Sequence, residues 1–313
     1  MTITTPQINE GELSRSLRQS SPRRGEAVIR AILVVAASVS VLTTVGIVLS
    51  IVIPSIDFFS EVPIWDFLTG TVWTPLFADG EFGVLPLVSG TLVITAIATV
   101  VAIPLGLGAA IYLSEYASVR VRKVLKPTLE VLAGIPTVVF GFFALEFLTR
   151  VVLVRFFPDI DIFNALSAGL IMGIMIIPTV ASLSEDAMSA VPSGLRDGSY
   201  ALGGSKRQTA TDVVIPAALS GIVAAFVLGI SRAIGETMIV TIAAGLEPRL
   251  SFNPLEGMQT MTSFIAAAGA GDLATGTIEY KSIFAVALLL FIITFAMNMI
   301  SIRLVRRYRQ VYQ

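Results

Sequence analysis

The sequence predicts an all-α integral membrane protein with six transmembrane helices, and two observations carry that expectation. Of its 313 residues, 55% are hydrophobic and only 14% are charged, whereas soluble domains run at roughly 45–50% apolar and about 25% charged. The apolar residues also gather into runs long enough, at 1.5 Å per helical residue, to cross a hydrocarbon layer of about 30 Å. Helices are expected because lipid leaves no partner for free backbone groups, and a barrel would instead show short alternating segments.

Residues 1–30 read as a cytoplasmic tail, polar at first and carrying Arg15, Arg18, Arg23 and Arg24. The first transmembrane helix is expected over 31–53, ended by Pro54. It is too long for a signal-peptide core and no small-residue cleavage site follows it, so it is expected to be retained. Residues 54–86 form an extracytoplasmic segment with Asp57, Glu61, Asp66, Asp79 and Glu81 but no Lys or Arg. Trp65 and Trp73 suit a membrane interface there.

The remaining spans are expected at 87–113, 128–149, 166–183, 218–243 and 282–302, within a transmembrane domain covering 87–302, before a cytoplasmic tail at 303–313. Gly169 and Gly173 make a small-xxx-small face for helix packing. The run Met258–Ala268 is too short to span and reads as a re-entrant or interfacial piece. Alternate connections hold sixteen Lys and Arg on one side and four on the other, with Arg232 left inside a span. Cytoplasmic loops carry the excess of basic residues, which puts both termini in the cytoplasm.

No cysteine or histidine occurs. Disulfides, Cys/His zinc sites, thiol nucleophiles and a histidine base are therefore unavailable, and an enzyme is not expected. None of the four lysines follows a glycine, so no phosphate-binding nucleotide loop can form and no cofactor is expected on this chain. Nucleic acid is not an expected partner.

Two segments carry function. The largest basic-side loop reads Arg196-Asp197-Gly198-Ser199-Tyr200-Ala201-Leu202-Gly203 and, after nine intervening residues, Val213-Val214-Ile215-Pro216. A short helix, a glycine turn and a proline opening the next span would build a rigid protruding elbow. In the fifth span, Ser231-Arg232-Ala233-Ile234-Gly235-Glu236-Thr237 puts charges inside the membrane, where they are costly and mark a polar cavity or an ion pair. Four residues apart, Arg232 and Glu236 would share a helix face and could pair. A guanidinium also matches a tetrahedral oxyanion.

The elbow resembles the "EAA" loop of ABC importer permeases, with Asp197, Gly198, Ser199, Gly203, Val213, Ile215 and Pro216 in its slots and with Asp for Glu and Gly-Ser for Ala-Ala. Longer stretches resemble the phosphate-specific branch of that family, its C-type subunit: Ala133–Gly141, Arg232–Met238 and Gly276–Tyr280. The resemblance implies a type I (MetI-like) core in a multi-pass protein of the bacterial inner membrane, and a coupling helix that docks on an ATPase. It implies a pathway for inorganic phosphate at Arg232, Glu236 and Thr237. The implied partners are a homologous A-type permease, a dimer of ATP-binding subunits that holds the ATP and Mg, an extracytoplasmic phosphate-binding protein, and membrane lipid. A permease for sulfate or molybdate, or a proton-driven carrier, is the alternative.

Overall fold

The computed structural model describes residues 24–77 and 80–308; the expectations for the earlier tail, for Asp79 and for Arg309 lie outside them. It is helical throughout, with a single antiparallel bridge between Trp73 and Phe82 among the described residues. Among the described residues, six helices are long and apolar enough to cross a membrane. The chain divides into two compact units, residues 1–50 and 51–313.

Helix α1 (Arg24–Glu61) continues through Pro54, where the sequence predicts that the first span stops. Proline deletes one backbone donor, and the Ser55 hydroxyl bonds the Ile51 carbonyl at 2.7 Å within the same turn. From Gly25 to Ser50 its residues are nearly all exposed and mostly apolar. A short helix α2 (Ile64–Thr69) follows.

The core is built on α3 (Leu85–Tyr116) and α6 (Ala165–Ser189). Glycines let the two backbones approach: a Cβ on Gly169 would sit 2.7 Å from Ile97, and one on Gly173 would sit 2.9 Å from the Ala98 carbonyl. Ile94, Ala98, Ala102, Met172, Ile176 and Val180 fill the seam. At the N-terminal end of α3, Phe58, Phe67, Trp73 and Phe264 pack edge to face. Trp73 is thus buried in the fold, whereas Trp65 is 75% exposed. The Trp73 expectation fails because α2 and the 258–269 region close over the indole. At the other end of α3, Ala110, Met188, Val191 and Val214 form a third cluster.

Two further spans differ from expectation. Residues 128–133 belong to a separate amphipathic helix, α4 (Val119–Ala133), capped by Ser118 and stopped at Gly134. Pro136 disfavours helix in the residue before it, so the third span starts afresh as α5 (Thr137–Phe156). The elbow opens with α7 (Ser193–Ala201), and the fifth span is α8 (Lys206–Ile234). A break separates it from α9 (Met238–Ala243). The run at 258–268 becomes α10 (Met261–Gly269), buried on one face, before the last span, α11 (Ile278–Tyr308).

Candidate functional site

The break after α8 holds Arg232, Glu236 and Thr237. Arg232 lies in the last turn of α8, half-buried. Its Nη1 donates to Thr179 Oγ1 of α6 at 3.1 Å, and Nη2 lies 3.9 Å from Met175 Sδ. Glu236 lies beyond the helix end, and its Oε1 accepts the backbone N–H groups of Met238 and Ile239 at 3.1 and 3.4 Å. The carboxylate thus satisfies the open donors at the start of α9, a position that favours negative charge.

The Arg232–Glu236 pair that the spacing allows does not form. An i,i+4 pair needs one continuous helix, and the helix ends at Ile234, before glycine and a carboxylate that caps the next element. Among the described residues no carboxylate pairs with Arg232. Thr237 donates its hydroxyl to the Gly235 carbonyl at 3.4 Å, and its own carbonyl accepts from Thr241 Oγ1 at 2.6 Å. From α10, Thr262 Oγ1 donates to the Glu236 carbonyl at 2.6 Å and pins the break. What remains is a guanidinium inside a membrane protein whose neighbours are a hydroxyl and a thioether.

The second constellation is the elbow. Helix α7 closes on Gly203, whose φ of +83° only glycine adopts freely, with N–H bonds from Gly203 to Tyr200 O and from Gly204 to Ser199 O, both 2.9 Å. Ser205 and Gln208 form a capping box at the start of α8. Ser199 Oγ lies 2.8 Å from Thr209 Oγ1 and ties the two arms. Asp197, Gly198 and Leu202 face outward, Leu202 at 92% exposure. Val213 and Ile215 are half-buried, and Pro216 is exposed.

Pro216 stands in the first turn of the α-helical part of the span, Ile215–Ile234, in line with the expectation, although α8 as a whole begins at Lys206. A π-helical stretch, Thr209–Val214, precedes the proline. That wider turn accommodates a residue with no N–H and a ring that crowds the carbonyl four residues back.

Sequence reasoning missed the charges that brace this elbow. Arg196 donates to Glu115 at the end of α3 at 2.9 Å and to the carbonyls of Met188 and Val191 at 2.8 and 2.7 Å. Glu185, fully buried in α6, takes Arg122 and Lys126 of α4, and Lys126 also holds Asp186. Burial alone would lower the Lys126 pKa, but the hydrogen bonds it donates to Asp186 and Glu185 outweigh it and hold the ammonium above its ordinary value. Two acids ending an apolar run, 59 and 60 residues after a lysine, were the only signal.

Residues 102–310 match the family described as the binding-protein-dependent transport system inner membrane component. A probable ABC transporter permease protein, YqgH of Bacillus subtilis, is 35% identical over 90% of each chain. The phosphate transport system permease protein PstC of Mesorhizobium japonicum is 34% identical over 74% of this chain and 75% of the relative. Among solved structures, a bacterial ABC transporter that imports the acidic polysaccharide alginate aligns with TM-score 0.62, 13% identity and 92% coverage of this chain and all of that one. An inward-facing MetNI methionine transporter aligns with TM-score 0.54, 20% identity and 73% and 95% coverage. At these identities the two structures speak to fold alone.

Proposed function

This chain belongs to the family of binding-protein-dependent transport system inner membrane components, and from that premise we propose that it is a permease subunit of an ATP-driven phosphate importer, the C-type half of the pathway. The observation that carries the reading is Arg232, a half-buried cation with no acid to neutralise it among the described residues. Charges at membrane depth face a bundle interior or a watery cavity, and a guanidinium with free donors takes an oxyanion in bidentate fashion. The curated PstC relatives supply the choice of phosphate.

In this reading both termini lie in the cytoplasm, and the elbow from Asp197 to Pro216 docks on the ATPase. A homologous A-type permease completes the cavity and a phosphate-binding protein delivers the anion from outside. ATP and Mg sit in the partner ATPase. ATP binding moves the elbow, and the bundle turns the cavity from one face of the membrane to the other. Glu236 holds α9 at the break, and Thr237 offers the hydroxyl beside it.

The test is phosphate uptake by vesicles containing the complete importer, normalised to assembled complex. Arg232→Gln is expected to abolish uptake and leave assembly intact. Glu236→Gln, which removes charge from the α9 cap, is expected to lower uptake without abolishing it. Uptake by Arg232→Gln at the parental rate would refute the pathway role.

A further inference from the structure

We propose that Glu146 and Arg150 form a second charged station on the anion's route, where Arg150 takes up the oxyanion and Glu146 neutralises it once the anion has left. This rests on the oxyanion-importer reading above. Glu146 lies halfway along the span Thr137–Phe156, and Arg150 lies one turn further on. The shift of this span from 128–149 to 137–156 is what brings both charges to membrane depth; the expected boundaries leave Arg150 in an outer loop.

Their side chains are 3.4 Å apart and more than half exposed, at 56% and 54%. The rest of that exposed stripe is apolar, with Val139, Phe143, Phe147 and Val151. Lipid is excluded as the neighbour, since ionised groups at this depth face protein or water. A dry contact with an apolar helix is no better. A guanidinium has five donors, and Glu146 occupies only one edge of this one, so the others would be left unsatisfied. Water and a tetrahedral oxyanion satisfy them.

The mounting is rigid. The helix is π-helical over Phe143–Leu153, and on its buried side Thr149 Oγ1 bonds the Ala144 carbonyl while Asn164 bonds Thr149. Such stretches gather at functional positions. The same helix meets α9 directly: a Cβ on Gly141 would lie 3.0 Å from Ile242 and 3.3 Å from the Met238 carbonyl. Glu236 caps that α9 turn, so both charged sites belong to one packed joint.

The chain has no cysteine, so single thiols report without background. In vesicles holding the whole importer, Glu146→Cys is expected to react with a membrane-impermeant sulfonate thiol reagent, and phosphate is expected to slow that reaction. Adding Arg150→Gln is expected to remove the protection. Arg150→Gln alone is expected to cut phosphate uptake per assembled complex about tenfold or more, with partial recovery in Arg150→Lys.

If the Glu146→Cys thiol reacts only with a membrane-permeant maleimide, the helix faces lipid and the proposal is overturned. Reactivity in the isolated chain that vanishes in the complex would overturn it too, since it would mean a permease–permease contact. Parental uptake by Arg150→Gln would also overturn it and leave the phosphate assignment standing. Protection and uptake with sulfate or molybdate but not phosphate would support this station and refute phosphate as the substrate.

Discussion

The Arg196 guanidinium reaches from the elbow to the Glu115 carboxylate at 2.9 Å, with Glu115 only 5% and Arg196 19% exposed. The same guanidinium caps the carbonyls of Met188 and Val191 at the end of α6 and just past it. One side chain thus joins α7 to the ends of both core helices. Arg196→Gln is expected to destabilise the complex by about 2 kcal/mol, because it leaves a nearly buried carboxylate unpaired. Pairing it with Glu115→Gln is expected to restore assembly but leave ATP hydrolysis uncoupled from uptake. Restored uptake in the double variant would mean that the contact only holds the fold.

Gly203 separates backbone from packing effects. No heavy atom lies within 4 Å of where its Cβ would sit, so Gly203→Ala meets only the cost of positive φ, about 1–2 kcal/mol. Gly203→Asn is expected to recover most of that. Gly203→Pro cannot reach φ +83° and loses the bond to Tyr200 O, so it is expected to abolish uptake while membrane insertion persists. Co-purified ATPase and uptake both surviving Gly203→Pro would remove the docking role.

The glycine seam gives a matched comparison. Gly173→Leu drives a side chain against Val101 and the Ala98 carbonyl and is expected to cost about 1–3 kcal/mol of stability in detergent. Gly108→Ala, on the facing core helix α3 with open space around it, is expected to be neutral or slightly stabilising. Thermal unfolding of the two variants checks the ordering.

Orientation is open to direct measurement. Single cysteines at the exposed positions Trp65 and Phe252 are expected to label from outside intact cells, and those at 120 and 205 only after the membrane is opened. External labelling at 205 would invert the scheme.

The pH response of the α4–α6 clamp follows from Lys126, whose pKa is raised above 10.5. A raised lysine contributes stability that is complete below its unfolded value and is lost as pH climbs through the folded one. Protease cleavage within α4 is therefore expected to stay constant from neutral pH to about 10 and to rise above it. Release of α4 near neutrality would mean that Lys126 does not hold it.

Hydropathy made the spans legible because lipid selects for apolar runs and for little else. It also blurred their ends. Apolarity continues past Ile234 to Ala243 with little interruption, so nothing in composition marks the break that Glu236 makes by capping α9. Residues 128–133 are apolar enough to join the next span, and only Gly134 and Pro136 divide them. That blurring hides the depth of Glu146 and Arg150. The elbow was readable because its glycine and spacing are local, whereas its braces at Glu115, Glu185 and Arg122 depend on pairs distant in sequence.

Synthesis runs from the N-terminus, so Arg122 and Lys126 leave the ribosome about sixty residues ahead of Glu185. A carboxylate with no exposed surface could not settle at the end of α6 alone, because an unpartnered buried charge is strongly disfavoured. Its counter-charges are already waiting when it emerges. The order of the helices in the gene therefore sets an order of assembly: α4 must be in place before α6 can close, and a chain interrupted between them would expose an acid that quality-control proteases can reach.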